Sequence, residues 1–136
     1  MADETTAPPG ARFLCDGAEL AERGTAHGFW VLLWSQRTRA FALRFDGRVV
    51  SYLNRCAHVP TSMDWTPGEF FDADRNYIMC SVHGAAYEPS NGQCMYGPCT
   101  GERLMAIDVV ERDGKVYWYP SPDIAPSPID KPSPTP

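Results

Sequence analysis

Residues 41–53 read FALRFDGRVVSYL, and this stretch decides the fold class. In both halves apolar side chains recur at every second position (Phe41, Leu43 and Phe45, then Val50 and Tyr52), which is the period of a β-strand. Asp46-Gly47 lies between the halves and is typical of a two-residue hairpin turn. Because such a turn fixes the register, it places Leu43 opposite Val50 on one face. The stretch therefore predicts an antiparallel β-hairpin.

The sequence on either side of this hairpin contains more strand signals than helix signals. Asn91-Gly92 and Asp113-Gly114 each separate two short strand-like runs, and residues 29–34 (FWVLLW) suit a buried strand. Only residues 16–23 favour a helix, of two turns at most. We therefore expect an all-β fold of short antiparallel strands, arranged as a sandwich or partly open barrel.

Length and composition indicate one folded unit between two flexible ends. The chain has 136 residues, of which 43% are hydrophobic, enough for one domain with a core. We expect a flexible N-terminus over residues 1–10, a folded domain over 11–119, and a disordered Pro/Ser-rich tail over 120–136. The tail reads PSPDIAPSPIDKPSPTP and contains seven of the 13 prolines.

Charge and hydropathy exclude several classes of protein. No run of 18 apolar residues occurs, which argues against a membrane-spanning helix. The net charge of −5 argues against nucleic acid as a partner. The first 15 residues lack the basic and apolar regions of a secretory signal. We therefore expect a cytoplasmic protein, in which clustered cysteines and histidines indicate metal ligands.

Two short segments hold such a cluster. Cys56-Ala57-His58 is followed after 21 residues by Cys80-Ser81-Val82-His83-Gly84. Each segment follows a strand-like run, so both are expected to be loops that close on one metal centre. Structural zinc with two cysteines and two histidines is one candidate. One cysteine and one histidine in each loop also suit a binuclear centre, in which one iron takes both cysteines and the other both histidines.

The two segments resemble the ligand boxes of Rieske-type 2Fe–2S domains, C-x-H and C-x-x-H-G followed by an aromatic residue. The resemblance continues through Asn91-Gly92 to Gly97-Pro98 and covers most of residues 11–119. It implies one Rieske 2Fe–2S cluster within a small cluster-binding subdomain of about residues 55–101. It further implies the following ligands: Cys56 and Cys80 for the inner iron, His58 and His83 for the outer iron.

Departures from the family pattern indicate the subtype. Respiratory-chain Rieske proteins carry a disulfide between the two loops, but the corresponding positions here are Thr61 and Val82. The chain instead resembles the soluble ferredoxins of ring-hydroxylating oxygenases. That resemblance implies a one-electron carrier between a flavin-dependent reductase and an oxygenase, without a substrate of its own. A redox-sensing or accessory Rieske subunit, and a structural zinc module that mediates protein contacts, are the alternatives.

Residues after His83 bear on the reduction potential. In high-potential members of the family, a serine two residues after this histidine and a tyrosine four residues after it donate hydrogen bonds to the cluster. Here these positions are Ala85 and Tyr87, next to Gly84 of the second box. We therefore expect a potential in the lower half of the Rieske range of roughly −150 to +300 mV. Electrons are expected to leave on the histidine side, through residues 57–60 and 82–85.

The remaining cysteines and histidine have simpler interpretations. Cys94 and Cys99 flank a segment that could turn tightly enough for a disulfide, although cytoplasmic conditions favour free thiols. Cys15 is expected to be a small buried hydrophobic residue. His27 is expected to be a loop residue without a ligand role.

Overall fold

The computed structural model describes residues 9–54, 69–80, 84–97 and 101–127. Within these ranges the chain is all-β and contains one 3-10 turn, Gly17–Glu19. The strands in chain order are β1 Arg12–Asp16, β2 His27–Leu33, β3 Gln36–Phe45, β4 Arg48–Leu53, β5 Ile78–Met79, β6 Ala86–Tyr87, β7 Cys94–Tyr96, β8 Val109–Arg112, β9 Lys115–Trp118 and β10 Ile124–Pro126. The predicted all-β class is confirmed. The described part of the chain contains no helix that could cross a membrane.

The described strands pair into three antiparallel sheets. Sheet A has the order β1-β9-β8, sheet B has the order β10-β2-β3-β4, and sheet C has the order β5-β6-β7. Sheet C falls within the range 55–101 that the sequence predicts for the cluster-binding subdomain. The bounds of that subdomain stay a prediction, because residues 55–68, 81–83 and 98–100 lie outside the described ranges.

The predicted hairpins form with the predicted register. Leu43 pairs with Val50 across the β3–β4 turn, where Asp46 and Gly47 have φ values of +54° and +79°. The β8–β9 turn at Asp113-Gly114 has the same conformation. Both dipeptides tolerate positive φ, and this conformation matches the twist of the flanking strands.

Sheet B is the middle layer, because both of its faces are buried along β3. Ala40 and Ala42 face a core shared with sheet A, which includes Val116 and Trp118. Phe41, Leu43 and Phe45 face the opposite way, into the core shared with sheet C. Successive side chains of a strand point to opposite faces, so a nearly continuous apolar run in β3 serves two cores.

Residues 16–23 do not form the predicted helix beyond the single turn Gly17–Glu19. Leu20 leaves the turn in an extended conformation and is buried in the core between sheets A and B. Glu22 instead accepts hydrogen bonds from the backbone N–H groups of Asp46 and Gly47 at the β3–β4 turn. Tertiary contacts therefore override a weak local helical preference.

The expectation that residues 120–136 form a disordered tail is wrong for residues 124–126. These residues form β10, in which Ile124 pairs with Leu33 and is buried. The proline content suggested a segment unable to join a sheet. Pro126, however, lies in an edge strand, where a missing backbone N–H is tolerated. Residues 128–136 lie outside the described ranges.

An ion pair joins sheets A and B. The Arg44 guanidinium donates two hydrogen bonds to the Glu111 carboxylate, at 2.9 and 2.8 Å. It also donates to the carbonyl oxygens of Leu20 and Gly17. The hydrogen bonds from Arg44 hold the pKa of Glu111 below its ordinary value. One partly buried arginine thus connects β3, β8 and the turn after β1.

Candidate metal centre

Of the four predicted ligands, the structure describes only Cys80. Cys56, His58 and His83 lie outside the described residues. Within the described ranges, no three His, Cys, Asp or Glu side chains lie close enough to hold a metal ion. The predicted ligand set therefore stays a prediction, and the structure shows the surroundings of one member.

Cys80 is fully buried and is not part of a disulfide. It directly follows β5, which pairs with β6 in a hairpin. Its backbone N–H donates to the Ala85 carbonyl oxygen, and its carbonyl accepts from the Gly84 N–H, both at 2.8 Å. These two hydrogen bonds close the base of a loop over residues 80–85. A buried thiol at the base of a closed loop is suited to metal ligation, because its position is fixed before a metal binds.

A second backbone segment packs against this loop. Gly97 follows β7 with a φ of +97°, and a Cβ atom at this position would lie 2.9 Å from the Ala85 Cα. The same atom would lie 3.1 Å from the Gly84 carbonyl oxygen. Only glycine combines this backbone conformation with so close an approach. The segment after β7 therefore fixes Gly84 and Ala85 from one side.

Ala85 and Tyr87 occupy the positions that the sequence associates with the reduction potential. Both side chains are fully buried. The Tyr87 hydroxyl therefore does not point to bulk water. A buried tyrosine hydroxyl normally has a hydrogen-bond partner, and this burial is compatible with donation toward the metal site. The donor role itself stays a prediction.

The burial of Ala85 corrects one detail of the expected exit for electrons. The sequence places residues 82–85 in a surface patch for docking, but Ala85 has no exposed surface. Its backbone is covered by Gly97, and its carbonyl oxygen is bonded to the Cys80 N–H. Ala85 is therefore a supporting residue and not a contact residue.

Cys94, the first residue of β7, is disulfide-bonded. The other described cysteines, Cys15 and Cys80, are not in disulfides, so the partner of Cys94 lies outside the described residues. Cys99, its predicted partner, is one of these residues. The pairing of Cys94 with Cys99 stays a prediction.

Cys15 and His27 lie away from this site. Cys15 is buried between sheets A and B, as predicted, and burial raises the pKa of its thiol to about 12. His27 is the first residue of β2 and not a loop residue, and its Nδ1 lies 3.8 Å from a Glu19 carboxylate oxygen.

Two tyrosines on the surface of sheet C are a feature that the sequence analysis missed. The rings of Tyr77 and Tyr96 meet edge to face, with centroids 5.4 Å apart. The side-chain hydrogen bond between Tyr77 and Tyr96 is the main reason that the pKa of Tyr77 is raised. Tyr96 is 60% exposed and its neighbour Met95 is 45% exposed. The two tyrosines form an aromatic surface beside Gly97. No spacing in the sequence indicates that residues 19 positions apart (77 to 96) meet.

Two sets of hydrogen bonds connect segments next to sheet C with the rest of the described structure. The Tyr52 hydroxyl donates to the Pro89 carbonyl oxygen at 2.6 Å, and burial raises the pKa of Tyr52 to about 12. In the other set, Arg23 donates to the Arg75 carbonyl oxygen and Arg75 donates to that of Arg23. Both sets of hydrogen bonds hold the segments around Cys80 in a fixed position relative to the larger sheets.

Comparison with protein families gives one match. Residues 13–120 match the family model of the Rieske [2Fe-2S] domain. This range includes both ligand boxes, the three sheets up to β9, and the segment around Gly97. No curated protein matches the chain.

Several solved structures share the fold. The chain is similar to the ferredoxin of carbazole 1,9a-dioxygenase from Nocardioides aromaticivorans IC177, with 19% identity, a TM-score of 0.63, and coverage of 82% of this chain and 98% of that one. It is similar to a chain of the complex of reduced oxygenase and oxidized ferredoxin in carbazole 1,9a-dioxygenase, with 20% identity, a TM-score of 0.62, and coverage of 82% and 94%. Apo dicamba monooxygenase matches with 20% identity and a TM-score of 0.61, over 83% of this chain and 34% of that one. At such identities the similarity establishes the fold.

Proposed function

The chain belongs to the Rieske [2Fe-2S] domain family, and from this membership we propose that it is a one-electron carrier. Its cofactor is a Rieske-type 2Fe–2S cluster. When bound, such a cluster accepts and releases one electron at a potential above that of four-cysteine ferredoxins. The carrier has no substrate of its own in this proposal and acts as one component of an oxidoreductase system.

We propose that Cys56 and Cys80 hold the inner iron and that His58 and His83 hold the outer iron. The observation that carries this assignment is the state of Cys80, which is buried, outside a disulfide, and placed in a loop closed by two backbone hydrogen bonds. Thiolates are the usual protein ligands of iron–sulfur clusters. The chain therefore presents a suitable donor at the position where the family places one.

The proposed partners are an oxygenase as acceptor and a flavin-dependent reductase as donor, in the cytoplasm. The proposal is supported by similarity to the ferredoxin of carbazole 1,9a-dioxygenase, of which the chain covers 98%. Another similar structure is a complex between a ferredoxin and an oxygenase of that system. Exposed Tyr96, which lies against Tyr77 and beside Gly97, offers an aromatic contact surface for such a partner.

Metal analysis of the purified protein tests the cofactor. We expect two irons and two acid-labile sulfides per chain, with a Rieske absorption and electron paramagnetic resonance spectrum. One zinc per chain without iron would overturn the proposal and favour the structural zinc module.

Two cysteine variants test the ligand assignment. Cys80→Ala is expected to abolish the cluster spectrum, because a thiolate ligand is lost and metal binding is coupled to local folding. Cys15→Ala is the matched control, since Cys15 is also buried and outside a disulfide but lies between sheets A and B. A full Rieske spectrum in Cys80→Ala would contradict the assignment.

A further inference from the structure

A basic face, formed by Trp30 of β2 and by Arg37 and Arg39 of β3, lies on the same side of sheet B as Phe41. Arg39 lies directly opposite Trp30 in the register of the two strands. The guanidinium carbons of Arg37 and Arg39 lie 4.3 and 5.4 Å from the centroid of the Trp30 ring. We call these three residues the arginine–tryptophan face. Both cations are within the range of cation–π attraction, so the ring holds them in defined positions.

Neither arginine of this face has an acidic partner within the described ranges. Arg23 and Arg44, by contrast, form ion pairs with Asp46 and Glu111. A guanidinium stacked on a ring keeps the N–H groups at its edge available for a bidentate carboxylate. The protein carries a net charge of −5, so two adjacent cations without a carboxylate are unusual on its surface. The face therefore carries two guanidinium groups that no described carboxylate neutralises.

The position of the face connects it with the proposed ligand loops. The segments of sheet C cover this side of sheet B around Phe41, which stacks on Phe70 with centroids 3.8 Å apart. At the Trp30 end Arg37 is exposed, whereas Trp30 and Arg39 are half-buried. The Arg39 carbonyl oxygen accepts a hydrogen bond from the Asn54 N–H, two residues before Cys56. The face thus adjoins the end of β4 from which the chain enters the first ligand box.

We propose that the arginine–tryptophan face is a docking surface for a protein redox partner that presents carboxylates beside its own electron-transfer group. This inference rests on the proposed function, because it assumes that the chain exchanges electrons with another protein. Tryptophan and arginine are the residue types that most often dominate binding at protein interfaces. Local charge complementarity raises the association rate and orients the partner.

Stopped-flow electron transfer tests the proposal, with the hydroquinone form of a flavodoxin as an acidic protein donor. The variant Arg37→Glu/Arg39→Glu reverses the charge of the face. The matched control Arg12→Glu/Arg48→Glu makes the same net change at two exposed arginines, at the start of β1 and at the far end of β4 from Asn54. We expect the second-order rate constant at low ionic strength to fall about tenfold in the face variant and less than about twofold in the control. The difference should vanish at high salt.

Two accompanying measurements separate the possible failures. The midpoint potential and the cluster spectrum should be unchanged in both variants, and Arg37→Gln/Arg39→Gln should slow the reaction in the same direction by a smaller factor. Equal rates in the two charge-reversed variants would overturn the docking surface. A purified protein without a Rieske spectrum would overturn the proposed function itself. Normal reduction of the cluster by dithionite in all variants would show that a change in rate arises at the docking surface and not at the cluster.

Discussion

Tyr52 and Tyr87 are buried tyrosines with different surroundings. The Tyr52 hydroxyl donates to the Pro89 carbonyl oxygen at 2.6 Å, and this bond joins sheet B to a segment next to sheet C. Tyr87 lies on β6, two residues after Ala85 and within the core that also contains Cys80. A hydroxyl near a redox centre affects the potential when its hydrogen bond strengthens with added negative charge. The two tyrosines therefore allow structural and electrostatic effects to be separated.

Tyr87→Phe is expected to lower the midpoint potential by roughly 50 mV, which corresponds to about 1 kcal/mol of preference for the reduced state in a one-electron step. Tyr52→Phe is the control and should lower the free energy of unfolding by about 1 kcal/mol without moving the potential. Protein-film voltammetry measures the first effect and urea unfolding the second. An unchanged potential in Tyr87→Phe would mean that its hydroxyl does not bond to a cluster ligand.

Glu111 gives a prediction about pH. Because the hydrogen bonds from Arg44 lower its folded-state pKa below the ordinary value of 4.5, the ion pair contributes fully above that value. The contribution is lost as the pH falls through the lower, folded-state pKa. Glu111→Gln should therefore reduce the free energy of unfolding by about 1–2 kcal/mol at pH 7, and the difference from wild type should shrink below about pH 4.5.

Urea unfolding at several pH values, followed by far-ultraviolet circular dichroism, measures this difference. Glu102→Gln is the control, because Glu102 is exposed and its side chain makes no ion pair within the described residues. A pH-independent difference between wild type and Glu111→Gln would show that the pair contributes through packing and not through charge.

Some individual side chains could be predicted from the sequence and others could not. Cys80 belongs to a motif whose spacing carries chemical meaning, so its burial at the base of a loop agrees with expectation. Arg44 and Glu111 are 67 positions apart, and nothing local distinguishes them from other charged residues. Their pairing depends on the packing of sheet A on sheet B, which no short pattern specifies.

Among the strands and turns, the contact between Gly97 and the Cys80 loop has the sharpest steric consequence. Gly97→Ala adds a methyl group 2.9 Å from the Ala85 Cα at a φ of +97°. We expect a loss of about 2–4 kcal/mol in unfolding free energy, from backbone strain together with overpacking. We also expect less cluster per chain, because Gly84 and Ala85 must shift.

Gly101→Ala is the matched control for this variant. Gly101 has a similar φ of +85°, but nothing lies within 4 Å of the added methyl group. It should cost only the backbone strain of about 1 kcal/mol and should keep its cluster. Chemical unfolding and iron content measure both effects. Equal losses in the two variants would show that the close approach to Ala85 has no role.

The hairpins could be predicted because their turns have local sequence signals. Strand β10 could not be predicted, since its formation depends on contacts with a distant part of the chain. Asp46-Gly47 and Asp113-Gly114 specify turns by their own conformational preferences. Ile124 stands in a proline-rich segment, and its place in the fold depends on Leu33 at the edge of β2. Asp123 accepts two hydrogen bonds from Trp34. The indole N–H donates to the Asp123 carboxylate, and the backbone N–H donates to the Asp123 carbonyl oxygen.

The role of β10 in the complete fold can be measured by truncation. A chain that ends after Pro120 lacks Ile124 and the hydrogen bonds of Asp123 with Trp34. It should lose about 3 kcal/mol of stability and expose the edge of β2 to aggregation. A chain that ends after Ser127 keeps β10 and should match the full chain. Thermal unfolding and light scattering compare the two, and equal behaviour would contradict a structural role for β10.

The pairing of β1 with β9 has a consequence for biosynthesis. Asp16 of β1 pairs with Lys115 of β9, which lies 99 positions later in the sequence. Strand β10, also late in the chain, forms the edge of sheet B beside β2. Contacts between distant segments form slowly, because a long loop must close first. The segment with both ligand boxes, residues 56–84, is synthesised before β8, β9 and β10. Sheet A therefore forms only after the proposed ligand cysteines have been synthesised, and we expect iron–sulfur insertion to follow completion of synthesis.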